Sequence, residues 1–220
     1  MMFTVLRRIS LACAFAALAS GPQARAQVTE QQLNVRLLEF SKQQDETRAR
    51  QMIAEGAAIN SRNRAGETPL MLWVRAGNPG MVAWLIEKGA SVNQTALDKT
   101  TPLMVAAFAG NVQIMQALLE AGAEIDVADQ VFKTAMIYAA AQGHAPAVQL
   151  LLDRGVAVNR LYYHNLTALM WAAGYGQADC VRLLLERGAD RALKDDRGPT
   201  AADIAREQGY AEVAALLLGA

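Results

Sequence analysis

Two apolar patterns alternate along most of the chain. One is a paired stripe, as in Ile114, Met115, Leu118 and Leu119 or Cys180, Val181, Leu184 and Leu185, the spacing of a helix that buries a single side. The other is a short apolar run opened by threonine and built on small residues: Ala106 and Ala107, Ala139 and Ala140, Ala172 and Ala173. Thr68 and Thr101 each precede a proline, so the threonine caps a helix whose first residue needs no N–H donor. Alanine pairs let neighbouring helices approach closely. Gly110 and its equivalents then end the first helix, since glycine tolerates a left-handed backbone. The pattern predicts short helix pairs joined by projecting turns.

These elements recur at a fixed interval. Thr68, Thr101, Thr134, Thr167 and Thr200 are 33 residues apart, as are Gly56, Gly89, Gly122, Gly155 and Gly188, and also Gly77, Gly110, Gly143, Gly176 and Gly209. "KTTPLMVAAFAGNVQIMQALLEAGAEID" and "NLTALMWAAGYGQADCVRLLLERGAD" resemble the ankyrin repeat, with its T-P-L-H start, alanine pair, mid-repeat glycine and L-L-x-x-G-A close. The resemblance covers about Leu33 to Ala220. It implies an all-α ankyrin-repeat solenoid of stacked helix-turn-helix units with projecting turns. Residues 27–60 read as an N-terminal capping or degenerate repeat, with helices over Leu33 to Ser41 and Asp45 to Glu55. Repeats follow at 61–93, 94–126, 127–159 and 160–192, and a C-terminal capping repeat at 193–220. Asp203, Arg206 and Glu207 make that last unit polar, as an outer face with no further neighbour requires.

Departures from the motif carry more information about function. Met71, Met104, Ile137, Met170 and Asp203 replace its histidine, so apolar packing takes over from a hydrogen-bonded first turn. Trp73 stands where alanine is usual and must find room against the N-terminal cap. Gln44 occupies a mid-repeat glycine position, and Lys99, Phe132 and Asn165 occupy turn positions where Gly66 and Gly198 keep glycine.

Composition adds a compartment and removes some partners. The sequence has 53% hydrophobic residues and 21 basic against 21 acidic residues, so it can bury a core and has no basic field to draw nucleic acid. Arg7 and Arg8, an apolar run from Ile9 to Ala19, and Ala24-Arg25-Ala26 read as a secretory signal peptide over residues 1–26, cut after Ala26. The surroundings of Arg7-Arg8 match twin-arginine export poorly, and Cys13 lies too early in the run for a lipoprotein. After the cut, 18 basic residues face 21 acidic ones, because Arg7, Arg8 and Arg25 are lost. The expected location is a bacterial periplasm, with no stable membrane insertion. Cys180 would then be the single cysteine, which excludes a disulfide framework.

Candidate chemistry is sparse. Past residue 26 there are three serines, Ser41, Ser61 and Ser91, and two histidines, His144 and His164. The first helix separates those histidine positions by on the order of 12 Å, too far to share a metal. His144 fits a structural position and Cys180 an apolar one, whereas His164 sits in a projecting turn open to binding. Asp126, Asp129, Asp195 and Asp196 are expected as solvated turn acids rather than an acid and base pair. No phosphate-loop or dinucleotide fingerprint occurs. The chain is therefore expected to be no enzyme, with neither cofactor nor metal.

The family resemblance implies a concave face made by the turns and the exposed side of the first helices. It assigns partner binding to Arg64, Glu67 and Arg75, then to Leu97, Asp98 and Phe108. Gln130, Val131, Phe132 and Lys133 come from the next unit. Tyr162, Tyr163, His164, Leu166, Tyr175, Asp196 and Arg197 complete the face. Aromatic and arginine side chains are the types that anchor protein interfaces. Trp84, Tyr138 and Trp171 are assigned to the core, while Tyr162 and Phe132 retain the alternative of folding back on their own turns. The expected function is that of an exported, monomeric protein-interaction module. Its alternatives are an inhibitor or immunity protein of a toxin or periplasmic enzyme and, more remotely, an enzyme.

Overall fold

The computed structural model describes residues 22–219. Residues 1–21, most of the expected export segment, lie outside the described residues. The N-terminal pair is α1 (Pro22–Lys42) and α2 (Glu46–Ala54). Five further pairs follow: α3 (Pro69–Arg75) with α4 (Pro79–Glu87), α5 (Pro102–Phe108) with α6 (Val112–Glu120), α7 (Ala135–Ala141) with α8 (Ala145–Asp153), α9 (Ala168–Gly174) with α10 (Ala178–Glu186), and α11 (Ala201–Glu207) with α12 (Ala211–Leu218). Among the described residues the only sheet-like feature is an isolated bridge between Lys194 and Thr200.

The first helices α3, α5, α7, α9 and α11 stack in one layer, and α4, α6, α8, α10 and α12 in the other. Small residues make the first layer tight: Ala106, Ala107, Ala139, Ala140, Ala172 and Ala173 are all fully buried. The second layer contributes its stripes, Ile114, Met115 and Leu118 from α6 and Cys180, Val181 and Leu184 from α10. Trp73 is accommodated as expected, buried on the helix α3 that packs against α1. The first helix corrects the sequence expectation: it starts at Pro22 rather than near Leu33. The intervening Gln27 to Gln32 is rich in glutamine and glutamate, which favour helix.

Local capping follows the threonine pattern with one exception. Thr68, Thr101 and Thr167 each accept the N–H of the third residue on, at 3.2 Å. Thr200 and Asp203 close a reciprocal capping box. Thr134 makes no such bond, and its buried hydroxyl has no hydrogen-bond partner.

Contacts between repeats are repeated as faithfully as the helices. Asn93 accepts the N–H of Glu124 and donates to the Gly122 carbonyl, and Asn159 does the same for Asp190 and Gly188. At the equivalent position Asp126 pairs with Arg160. At the inter-helix end, His144 occupies the N-cap position of α8 without a side-chain capping bond, and its Nε2 lies 3.0 Å from the Phe108 carbonyl. That places the imidazole directly over Gly110, whose φ is +68°, so that a Cβ there would stand 2.5 Å from His144 Nδ1.

Two outcomes follow. Gly110→Ala combines a left-handed alanine with that clash and should lower unfolding stability by about 2 kcal/mol in urea titration. His144→Ala in the same chain should restore part of the loss, whereas a neutral Gly110→Ala would contradict the close approach. The second concerns acid. Hydrogen bonds hold the carboxyl groups of Asp45, Asp98, Asp153 and Asp203 below their ordinary range. Depressed folded values mean that this stabilisation is present above the unfolded value of about 3.9 and is lost as pH falls through the folded values. The urea midpoint should therefore stay level from neutral pH to about 5 and decline below about 4.

Candidate functional site

Three of the projecting turns are organised by a side-chain acceptor at their first residue, Asn63, Asp129 or Asp195. Asn63 accepts the N–H groups of Ala65 and Glu67, and Asp129 those of Val131 and Lys133, all at 2.9 Å. Asp195 accepts the N–H of Arg197 and a two-pronged contact from its guanidinium. Burial opposes ionisation of Asp195, but Arg197 more than offsets it and holds the carboxyl below its usual range. Asp129 and Asp195 are only 6% and 5% exposed, which corrects their expected role as solvated acids. They are internal braces of the turns, because buried N–H groups need an acceptor and these carboxylates supply it.

Tyr162 takes the brace position in the fourth turn and works differently. Its ring packs against the core and its hydroxyl is buried, which pushes that group up to about 12. Tyr162 therefore turns away from the binding face to which sequence assigned it. Leu166 also packs against the core, leaving only part of its side chain available. The turn between them is a short 3-10 segment, Tyr163–Asn165, with both His164 (φ 59°) and Asn165 (φ 56°) left-handed. Lys99 (φ 65°) and Phe132 (φ 62°) are left-handed too, as their replacement of turn glycines predicts.

The other assigned residues sit as follows. Arg64 is exposed, and Glu67 is paired with Arg75. Leu97 and Asp98 are exposed, and the Gln130 backbone and side chain bond to the carbonyls of Asp98 and Leu97, linking two turns. Asp196 donates its N–H to the His164 carbonyl, and its carboxylate lies 2.5 Å from His164 Nδ1. Phe132 stacks on Tyr163 with ring centres 4.3 Å apart, and Tyr163 touches His164. Phe108, Val131, Phe132, Tyr163 and Tyr175 are each about half exposed or more.

A second line of rings runs along the first helices. Phe108 meets Tyr138 edge-on at 5.9 Å, and Trp171 stacks near Tyr175 at 6.0 Å. Lys133 bridges the two pairs, its ammonium 5.7 Å from the Tyr138 ring and 4.9 Å from the Trp171 ring. Burial and the Asp129 carboxylate push the Tyr138 hydroxyl well above its ordinary range, so it remains a donor. Tyr138 and Trp171 were assigned to the core by helix position; both are only partly buried and belong also to this face. The signal was present in the 33-residue series Leu72, Val105, Tyr138, Trp171 and Ile204, which enlarges to aromatics in mid-array. Trp84 is packed against the core, with Arg50 over its ring.

Beside Trp171 lies a cleft of about 420 Å³, lined by Leu166, Met170, Trp171, Gly174, Tyr175, Arg197, Ile204, Gln208 and Tyr210. Sequence reasoning missed Gly174, Ile204, Gln208 and Tyr210, because three of them belong to a capping repeat read only as a polar end. The arrangement offers ring faces, a cation and turn amides for contact. The Ser41 and Ser61 hydroxyls are buried without partners, and His144 and His164 serve separate contacts. Burial pushes the Cys180 thiol up to about 12, which keeps it protonated and unreactive. Among the described residues no group of three or more histidine, cysteine, aspartate or glutamate side chains is placed to hold a metal, and no helix is long and apolar enough to cross a membrane.

Comparison with known proteins agrees with the architecture. No curated protein matches the chain. The family model for ankyrin repeats (3 copies) matches residues 37–129 and 136–220. With stacked helix pairs and a 33-residue period, and with that model covering most of its length, the chain belongs to the ankyrin-repeat family, whose members are generally protein-interaction modules.

Proposed function

We propose that this chain is an exported, non-catalytic module that binds a partner protein in a bacterial periplasm. The observation that carries the reading is the run of rings across successive repeats: exposed Phe132 on Tyr163 at the turn tips, and exposed Phe108 and Tyr175 with half-buried Tyr138 and Trp171 along the helices. Isolated exposed apolar residues are ordinary, but rings gathered on one face favour being covered. Flanking Asp98, Arg75 and Arg197 supply a polar rim, as stable interfaces have. A stable complex would bury about 800 Å² on each side.

Export rests on the sequence alone, namely Arg7-Arg8, the apolar run to Ala19 and the Ala24-Arg25-Ala26 site. An inhibitor of a periplasmic enzyme would use the same face; the presence or absence of inhibition on adding this protein to a captured partner separates that role from scaffolding.

Two experiments test the reading. Photo-crosslinking from position 163 in intact cells should capture a defined partner, and Phe132→Ala with Tyr163→Ala should weaken its binding by about 10- to 100-fold. Unchanged capture by the double variant would show that the face is wrong. Fractionation with N-terminal mass determination should find the chain in the periplasm, starting at Gln27. A full-length cytoplasmic chain would remove export from the proposal without touching the binding face.

A further inference from the structure

The cleft beside α9 contains a place where a side chain is missing. At the repeat position shared by Arg75, Phe108, Ala141, Gly174 and Glu207, Gly174 alone lacks a Cβ. Gly174 lies within α9 and outside the left-handed region, so backbone geometry does not demand glycine, and glycine weakens a helix relative to alanine. A Cβ there would stand 3.1 Å from Ile204 Cγ2, closer than ordinary contact, so Ile204 approaches α9 closely at this edge of the cleft and any added side chain would have to project into it. The space of about 420 Å³ lies toward the lower end of the range for ligand clefts and is roomy enough to admit an aromatic or large aliphatic side chain.

Lys133 supplies the second half of the argument. It is half-buried with its ammonium over the Trp171 and Tyr138 rings. The nearby Asp129 carboxylate is committed to the backbone N–H groups of its own turn and to the Tyr138 hydroxyl. Among the described residues no carboxylate forms an ion pair with Lys133. Covering such a cation without bringing an anion is costly. Arg197, on the cleft lining, is already held by Asp195 and presents no repulsion to an acidic segment.

We propose that the cleft and Lys133 together receive an extended segment of the partner protein in which an acidic residue lies close to a large apolar one. The apolar side chain fills the space beside Gly174 against Trp171, Tyr175 and Ile204. The carboxylate meets the Lys133 ammonium above the Trp171 ring. This specificity rests on the protein-binding reading above and adds the chemistry of the occupant.

Panning a random library of short linear peptides on the full chain tests it. Enriched peptides should pair aspartate or glutamate with a nearby phenylalanine, tryptophan or leucine. Gly174→Ala should weaken them about tenfold with the folded state retained by circular dichroism, and Lys133→Glu should turn the preference from acidic to basic peptides. Should Gly174→Ala fail to fold, Tyr175→Ala, an exposed wall residue, should give the same loss. Enriched peptides without acidic residues, or ones that bind the folded variants as well as the parent, overturn the proposal. Crosslinking from position 163 that succeeds while panning returns no acidic-apolar peptide also overturns it and leaves the broader reading standing. If neither experiment yields a binder, both fall.

Discussion

No helix pair in this chain can cover its own apolar side, and the next pair must do so; the rest of the structure depends on that mutual burial. It sets the close spacing of the first helices, which the buried alanine pairs permit. It also explains why contacts between repeats concentrate at a few positions. His144 lies over Gly110, and Tyr210 lies over Gly176, where a Cβ would come within 2.5 Å of the ring. Each glycine thus serves the backbone of its own turn and the side chain of its neighbour. Substitution there strains two repeats at once, which makes the period itself a physical constraint on sequence.

Turns inherit their positions from that stack but take their individual shapes from one braced residue. Where the brace is Asn63, Asp129 or Asp195, inward N–H groups are satisfied and the tip residues are free to face outward. Tyr162 replaces polar satisfaction by ring burial, and the fourth turn changes accordingly, with two successive left-handed residues. Left-handed non-glycine residues are strained and persist only where surroundings hold them. For His164 the hold is visible: its carbonyl accepts the Asp196 N–H and its ring meets the Asp196 carboxylate. The same hold sets Tyr163 against Phe132.

Much of this was legible in the sequence, for reasons that also explain what was not. Helix starts, the 33-residue period and the glycine stops are local signals, and they transfer directly into α3 to α12. Left-handed Lys99, Phe132 and Asn165 were legible because neighbouring repeats display the glycine they replace. Burial within a turn was not. Asp129 and Tyr162 occupy the same repeat position; sequence read Asp129 as a solvated acid and left Tyr162 open between the face and folding back, whereas each turns inward to answer a different need. Tyr138 and Trp171 show the reverse error, since a helix position that is merely half-covered holds a ring too large to be hidden. The cleft was illegible because it depends on Gly174 of one repeat and Ile204 of the next.

The state of the rings before any partner arrives bears on how the face can work. Binding normally costs the freedom of each side chain it immobilises. Here much of that cost falls on folding: Phe132 is stacked on Tyr163, Phe108 rests edge-on against Tyr138, and Lys133 is held above two rings. The turn carrying Phe132 and Lys133 is fixed by the buried Asp129 carboxylate and by the bond from Gln130 to Asp98 of the preceding turn. A face preorganised in this way can select by shape and charge with few contacts, because little of the gain is lost to ordering. Rigidity generated by repeat stacking is thus the property that converts a structural array into a selective surface.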